Sequence, residues 1–148
     1  MMRVHGTFIA LDGDGVLLRG PSGSGKSDIA LRMIDSGALL VADDQTELWR
    51  EGNWVLARAP ESIVAQLEVR GVGIFLVPSV TQAPLRLVVD MTAPNAVERL
   101  PEPRLCEFFG LAIPLLALAP FEASAPAKLR LALRALVPGA SPVSRVAP

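Results

Sequence analysis

A phosphate-binding loop is the clearest chemical signal in this sequence. Residues 20–27 complete the Walker A pattern Gly-x4-Gly-Lys-Ser. Its glycines let the backbone wrap closely around an anion, so that successive N–H groups can face a nucleotide's phosphates. The lysine can reach the β- and γ-phosphates, and the last hydroxyl can bind Mg²⁺. The predicted nucleotide-binding residues are Gly20, Pro21, Ser22, Gly23, Ser24, Gly25, Lys26 and Ser27.

Chance is a poor explanation for this loop. The chain has only two lysines, Lys26 and Lys128, so a shuffled chain would contain the motif roughly once in a thousand cases. The alternative is a Gly/Ser-rich turn before a helix. The flanks favour phosphate binding, because an apolar strand pattern at 16–18 precedes the loop and a helical pattern at 28–34 follows it.

Two adjacent carboxylates form the second candidate cluster. Asp43 and Asp44 follow a short apolar run at 38–42, and α/β sheets gather ligands at the carboxyl ends of strands. Phosphoryl transfer needs charge neutralisation and often a base for the nucleophile. Neighbouring residues of an extended chain point in different directions, so one aspartate could serve the metal shell and the other accept a proton. The alternative is a solvated Asp pair that opens a turn.

Other polar residues give weaker signals. Glu68 and Arg70 share a face if their segment is extended, and would suit Mg²⁺ and phosphate respectively; a surface ion pair beside a glycine bulge explains them as well. His5 is the only histidine, and a lone histidine is more often structural. Arg99 carries no motif by itself. The single cysteine, Cys106, excludes an internal disulfide and fits a reducing cytosol as a buried apolar residue.

The elements needed to position these residues are mostly strands. The pattern predicts strands at 4–11, 16–19, 38–42, 71–77 and 85–91, a turn at 12–15 and a hairpin at 47–57. Helices are predicted at 26–36, with Gly37 at its end, and at 125–136, with a helical turn at 60–65. Residues 111–119 are either strand or irregular because of Pro114. An initial hairpin ahead of the Walker strand indicates an α/β fold with a mixed sheet.

Chain length, net charge and the length of the apolar stretches narrow the class of protein. A chain of 148 residues is expected to form one domain, here 1–137, with a flexible Pro/Gly/Ser-rich tail at 138–148. Its formal charge of −1 argues against a nucleic-acid binder. The longest apolar stretch, 111–119, is too short to span a bilayer, and no secretory signal is visible. We therefore expect a cytoplasmic protein with no membrane or nucleic-acid partner.

Four blocks together resemble one family in order and spacing: His5-Gly6, the Walker loop with its strand, Leu-Val-Ala-Asp-Asp at 40–44, and Glu-Val-Arg-Gly-Val-Gly-Ile at 68–74. They are similar to the C-terminal catalytic domain of HPr kinase/phosphorylase. This resemblance implies a P-loop kinase core of the HPr kinase/PEP-carboxykinase-like type, with a mixed sheet and few helices. It also implies ATP and Mg²⁺ as cofactors and a regulatory serine of the phosphocarrier protein HPr as the substrate.

The resemblance also assigns roles. It implies that Lys26 is catalytic, that Asp44 is the base for the serine hydroxyl, and that His5 is the active-site histidine. Arg99 then corresponds to a catalytic arginine. The reverse reaction would use inorganic phosphate to release pyrophosphate, with Asp44 as the acid. The expected metal ligands are Ser27, Glu68 and Asp43.

The chain departs from the family in its last third. Larger members carry an N-terminal domain and a Pro-Gly-Arg-Asn-type loop that helps to assemble a hexamer, whereas here 120–130 reads Pro-Phe-Glu-Ala-Ser-Ala-Pro-Ala-Lys-Leu-Arg. The short length resembles truncated bacterial forms, with Lys128 and Arg130 as candidate replacements for the lost basic residues. Homo-oligomer formation and the reverse reaction stay open. So do two other functions: an ATP-sensing module without catalysis, and a P-loop kinase for a small metabolite.

Overall fold

Strands dominate the fold, as the sequence predicts. The computed structural model of the chain describes residues 1–61 and 66–136. Within them the strands are β1 (Met2–His5), β2 (Thr7–Leu11), β3 (Asp14–Arg19), β4 (Leu39–Ala42), β5 (Gln45–Glu51), β6 (Trp54–Arg58), β7 (Gln66–Val69), β8 (Gly73–Leu76), β9 (Gln82–Met91), β10 (Arg104–Phe108) and β11 (Leu111–Leu118). The helices are α1 (Lys26–Asp35) and α2 (Ala125–Leu136), and a short 3-10 turn covers Pro94–Ala96.

The long strand β9 joins most of the sheet together. Seven strands follow the order β1-β5-β6-β9-β3-β2-β4, and β11 pairs with β9 on one side and β10 on the other. β9 runs parallel to β3 and β11 but antiparallel to β6. The hairpin β2-β3 precedes the Walker loop. The predicted mixed sheet with an N-terminal hairpin is therefore confirmed, and β7-β8 form a separate two-stranded hairpin.

The pairing directions bring several strand ends to one edge of the sheet. β2 is antiparallel to both β3 and β4, so β3 and β4 point the same way. β9 is parallel to β3, and β11 is parallel to β9. The residues that follow these four strands, and the residues that precede β2, consequently meet at the same edge. Such carboxyl ends are where α/β sheets bind ligands.

Both helices pack on the same face of the sheet, and this packing fixes the direction of α1. In β2, Phe8 faces one core cluster and Ile9 the other, as the alternation of a strand requires. The cluster containing Ile9 also holds Ile29 and Met33 of α1 and Leu129 of α2, each fully buried. The predicted helix at 125–136 is confirmed. Among the described residues neither helix is long and apolar enough to cross a membrane.

The strand predicted at 4–11 is wrong in one respect, because it is two strands interrupted at Gly6. β1 pairs with β5, while β2 pairs with β3 and β4. A side chain at Gly6 would place its Cβ 2.8 Å from Leu17 Cδ1 and 2.9 Å from the carbonyl oxygen of Leu18. Only glycine lets the chain pass this close to β3 while it changes partners.

The region around Pro114 is a strand, which settles the alternative left open by the sequence. Pro114 lies opposite Leu105 of β10, and pairing with β9 begins only at Leu115. The proline therefore occupies a stretch with one strand neighbour, where a missing N–H is tolerated. β7 and β10 are not predicted as strands by the sequence pattern. Part of the helical turn predicted at 60–65, and the whole tail at 138–148, lie outside the described residues.

Candidate active site

The Walker loop leaves the N-terminus of α1 open toward a cleft. Gly25 is the N-cap residue, with φ 108° and ψ 7°, and no side chain of the described residues caps the helix. A Cβ at Gly25 would also lie 2.6 Å from Pro120 Cγ, so both the backbone conformation and the contact require glycine. The first N–H groups of a helix have no partner within it and favour an anion.

Lys26 is a buried cation held by the loop itself. Only 5% of the residue is exposed, and its Nζ donates to the carbonyl oxygens of Gly20 at 2.5 Å and Pro21 at 3.1 Å. An ammonium group has three donors, so a third remains for a ligand. Burying a charge is costly unless it is compensated, and a phosphate oxygen would provide that compensation.

A buried hydroxyl in the same loop also fits an anionic ligand. Ser24 Oγ is buried and has no hydrogen-bond partner among the described residues. Buried polar atoms are normally paired, so an orphan needs an explanation. A nucleotide phosphate in the loop would supply one. Together with the open helix end and Lys26, this shows that the loop's own groups fit a bound phosphate chain.

Asp43 ties three elements together beneath the loop. Its Oδ1 accepts hydrogen bonds from Thr7 Oγ1 of β2 at 2.9 Å and from Ser27 Oγ of α1 at 3.0 Å. Its Oδ2 accepts a longer one, 3.4 Å, from the backbone N–H of Glu68. Residues 1–61 and 66–136 contain no cluster of three or more metal-ligating side chains. Mg²⁺ is usually bound by one or two carboxylates together with substrate phosphates, so Ser27 and Asp43 fit that ion.

Asp44 has a different side-chain partner from Asp43, namely His5. Its φ is 66°, in the left-handed region, and its backbone is held on both sides: the N–H donates to Thr7 Oγ1 at 3.2 Å, and the carbonyl accepts from the Gly6 N–H at 2.8 Å. This conformation aims the carboxylate at His5, whose Nε2 lies 2.7 Å from Oδ1. Both side chains are about half exposed. Strained backbone of this kind is concentrated at functional sites.

Ion pairs fix the two strands that deliver the loop and the histidine. Arg19, the last residue of β3, donates to both carboxylate oxygens of Asp90 at 2.7 and 3.0 Å, and this hydrogen bonding raises the pKa of the Arg19 guanidinium. Glu47 of β5 accepts hydrogen bonds from Arg3 at 2.9 Å and Arg58 at 3.1 Å. These hydrogen bonds lower the pKa of Glu47, and the bond from Arg3 is the larger cause. Because Arg3 belongs to β1, its bond also holds that strand in place and so positions His5.

These groups surround one open cleft of about 430 Å³. Its lining comes from the loop, from α1, from the ends of β4 and β7, and from the segment after β11: Ser22, Gly23, Gly25, Lys26, Ser27, Asp28, Leu31, Asp43, Asp44, Glu68, Val69, Arg70 and Phe121. The Walker loop, the hydrogen-bonded pair of Ser27 and Asp43, and an exposed carboxylate beside a histidine therefore share one cavity. Such an arrangement can bind a nucleotide and transfer its terminal phosphate to a hydroxyl.

The structure brings together most of the residues singled out by the sequence. Asp43, Asp44, Glu68 and Arg70 all line the cleft, and His5 joins it through Asp44. Arg99 does not line the cleft; it is exposed in the segment between the 3-10 turn and β10, and its role stays a prediction.

Sequence reasoning missed two residues at this site. Thr7, which is fully buried, bonds both aspartates, and no local pattern distinguishes it from any other strand threonine. Phe121 lines the cleft, although the sequence pointed to its segment only as a departure from the resembled family.

Comparisons with known proteins show which sequences and which fold the chain is similar to. The family model described as HPr Serine kinase C-terminal domain matches residues 1–110. HPr kinase/phosphorylase of Bordetella pertussis is 39% identical over 109 residues, covering 66% of this chain and 35% of that protein. The Alkaliphilus metalliredigens protein of the same name is 49% identical over 77 residues, covering 51% of this chain and 25% of its own length. The chain thus spans about a quarter to a third of these curated relatives.

A solved structure is similar over nearly the whole fold. The Hpr(Ser) kinase/phosphatase from Coxiella burnetii superposes with a TM-score of 0.81 at 26% identity. The match covers 90% of this chain and 95% of that one. The likeness therefore extends beyond the end of the family model, into the region of β11 and α2.

Proposed function

The chain belongs to the HPr serine kinase C-terminal domain family, and on that premise we propose that it is an ATP-dependent protein kinase whose substrate is a serine of the phosphocarrier protein HPr. One observation carries the proposal beyond nucleotide binding. Asp44 holds an exposed carboxylate beside His5, outside the phosphate loop but within the same cleft. A kinase needs such a group to take the proton of the attacking hydroxyl, whereas a protein that only binds ATP does not.

Nucleotide binding rests on the loop. Its backbone N–H groups and Lys26 would hold the β- and γ-phosphates, and the open end of α1 would favour their charge. These groups are fixed before the substrate arrives, because Lys26 is already anchored by two loop carbonyls. Positioned donors stabilise charge in the transition state without having to reorganise.

Ser27 and Asp43 are the residues that would hold Mg²⁺, with Glu68 as a further carboxylate at the cleft wall. The bound ion would neutralise charge on the phosphate oxygens. The hydrogen bond between Ser27 and Asp43 already sets the hydroxyl and the carboxylate side by side. Thr7 keeps the Asp43 carboxylate in that orientation.

Asp44 would act as the base in a direct in-line transfer. Oδ1 is the oxygen near His5, so we assign Oδ2 to the incoming serine hydroxyl. As the serine Oγ bonds to the γ-phosphorus, its proton passes to Asp44, the bond to the β-phosphate oxygen breaks, and ADP leaves. In the reverse direction Asp44 returns the proton to serine, while inorganic phosphate accepts the phosphoryl group as pyrophosphate.

The surroundings of the cleft favour a protein acceptor over a small metabolite. Glu68 and Arg70 belong to the hairpin segment that continues into Val72 and β8, where Val72 and Ile74 are 69% and 68% exposed. Exposed apolar groups beside a site are typical of protein-binding surfaces. A metabolite kinase would instead enclose its substrate. We extend the proposal to a cytoplasmic location, to self-association and to a catalytic role for Arg99.

Phosphorylation of HPr is the direct test. The purified chain is incubated with ATP, Mg²⁺ and HPr of its own organism, and phosphoserine is measured by mass spectrometry, with and without added inorganic phosphate. Formation of phosphoserine supports the kinase, and its loss with release of pyrophosphate supports the reverse reaction. If folded protein binds ATP but modifies no HPr, the kinase proposal fails and the ATP-sensing alternative replaces it.

A further inference from the structure

We propose that the ring of Phe121 is the nucleobase subsite of this cleft, on which the adenine of ATP stacks. The inference rests on the proposed nucleotide binding and adds the residue that recognises the base. It concerns the segment in which the chain departs from the family it resembles, and Phe121 lies beyond the residues matched by the family model.

The backbone on both sides of Phe121 is clamped to the helix that begins at the phosphate loop. Arg32 of α1 donates to the carbonyl oxygen of Pro120 and, at 3.3 Å, to that of Glu122. Arg32 is itself held by Asp28, at 2.8 Å. The Glu122 side chain accepts a further hydrogen bond from Lys128 of α2 at 3.0 Å. A ring carried by such a segment is kept in position before any ligand binds.

The ring itself is exposed where an apolar residue would be expected to pack. Phe121 is 67% exposed and lines the cleft, and it belongs to neither core cluster of the described residues. Leu31 of α1 adds a second apolar side chain to the same lining. Aromatic rings on fixed backbone provide stacking surfaces for bases, since every base has a π face.

The position of the ring matches the direction in which a nucleotide must lie. A Cβ at Gly25 would be 3.1 Å from Phe121 Cζ, so the ring edge lies against the end of the loop. Ser27 instead contacts Asp43. Residues two apart at the start of a helix face different sides. With the γ-phosphate directed toward Ser27 and the aspartates, the opposite end of the nucleotide is directed toward Phe121.

Calorimetry with two ligands tests the subsite. Wild type, Phe121→Ala, Phe121→Trp and Leu131→Ala are titrated with Mg²⁺-ATP and with Mg²⁺-loaded inorganic triphosphate, which lacks the base. Leu131 is a 56% exposed residue of α2 and serves as the matched control. Loss of one base-stacking ring should weaken ATP binding by roughly 5- to 150-fold and leave triphosphate binding unchanged. Phe121→Trp should retain ATP affinity, and Leu131→Ala should bind both ligands like wild type.

The alternative outcomes are separable. If wild type binds ATP and triphosphate equally, or if Phe121→Ala keeps wild-type ATP affinity, the subsite is refuted while the kinase proposal stands. If Phe121→Ala changes only the KM for HPr, the ring is a contact for the protein substrate and the base assignment is wrong. If wild type binds neither ligand, the proposed function fails together with the inference.

Discussion

Replacing Asp44 with asparagine isolates the proposed proton transfer from everything else that this residue does. Asp44 has a φ of 66°, a conformation that Asn tolerates about as well as Asp, whereas most other residues are disfavoured there. The backbone bonds to Thr7 and Gly6 do not involve the side chain. The amide oxygen can still pair with His5. The variant therefore removes the charge and the proton-accepting ability at almost constant structure.

The expected loss of activity follows from the proposed role of Asp44 as the general base. General-base catalysis contributes about 10²- to 10⁴-fold, so we expect kcat to fall by that factor. ATP affinity should stay near the wild-type value, because the phosphate contacts that we propose come from the loop and Lys26. Asp44→Ala should be less stable in addition, by about 1 kcal/mol, since alanine in the left-handed region is strained. The contrast between the two variants separates the catalytic effect from the conformational one.

The assay combines initial rates of phosphoserine formation, ATP calorimetry and thermal unfolding. Asp12→Asn is the matched control, because Asp12 also has a left-handed φ, 51°, but lies in the turn at the far end of the β2-β3 hairpin. It should retain full activity. If Asp44→Asn phosphorylates HPr at the wild-type rate, Asp44 is not the base. If it loses ATP binding as well as activity, the separation between phosphate cradle and base that we propose is wrong.

Three further predictions concern the loop, the hairpin and pH. Gly25→Ala should reduce ATP affinity at least tenfold in calorimetry, because the new Cβ would lie 2.6 Å from a proline carbon. Gly13→Ala should leave ATP affinity unchanged, because its Cβ, although strained at φ 85°, would meet no atom of the described part of the chain within 4 Å. Ile74→Asp should raise the KM for HPr with unchanged ATP binding, and Leu105→Asp, equally exposed at 67%, should leave both unchanged. Two arginines lower the pKa of Glu47 in the folded state, so its stabilisation is complete above the ordinary carboxyl pKa of about 4.3 and is lost as pH falls through the lower folded value. Thermal melts of Glu47→Gln should accordingly show a weaker loss of stability between about pH 5 and pH 3 than wild type.

Each of these predictions has a result that contradicts it. Normal ATP binding by Gly25→Ala would mean that the loop tolerates the close contact and that its glycine is not required. If Ile74→Asp and Leu105→Asp changed the KM for HPr equally, the β7-β8 hairpin would not be the docking surface for HPr. If wild type and Glu47→Gln lost the same amount of thermal stability as the pH falls, the Glu47 carboxylate would contribute nothing to the acid dependence of folding.

The parts of the site that the sequence predicted are those made by contiguous residues. The loop at 20–27, the start of α1 at Lys26 and the position of Asp43 and Asp44 at the end of β4 all follow from short stretches of chain. Glycine conformations, helix N-termini and strand ends depend on neighbours within a few residues. The periodicity of α2 is local in the same sense, and its predicted bounds of 125–136 match the structure.

Other features depend on which strands pair, and local patterns do not encode that choice. Gly6 divides one apparent strand into two because β1 and β2 have different partners. Thr7 meets both aspartates only because β2 lies between β3 and β4. Arg99, which the resemblance assigned to catalysis, is exposed and is not among the residues that line the cleft.

The amino-acid sequence by itself determined which chemical groups this protein can offer: a Walker A loop, the lysine within it and two adjacent carboxylates. The tertiary structure decided which side chains share the cleft. Because β11 runs parallel to β9, and β9 to β3, the chain after β11 returns to the phosphate loop and brings Phe121 with it. Contacts between residues about a hundred positions apart arise from strand direction and packing, and for that reason they become visible only in the folded molecule.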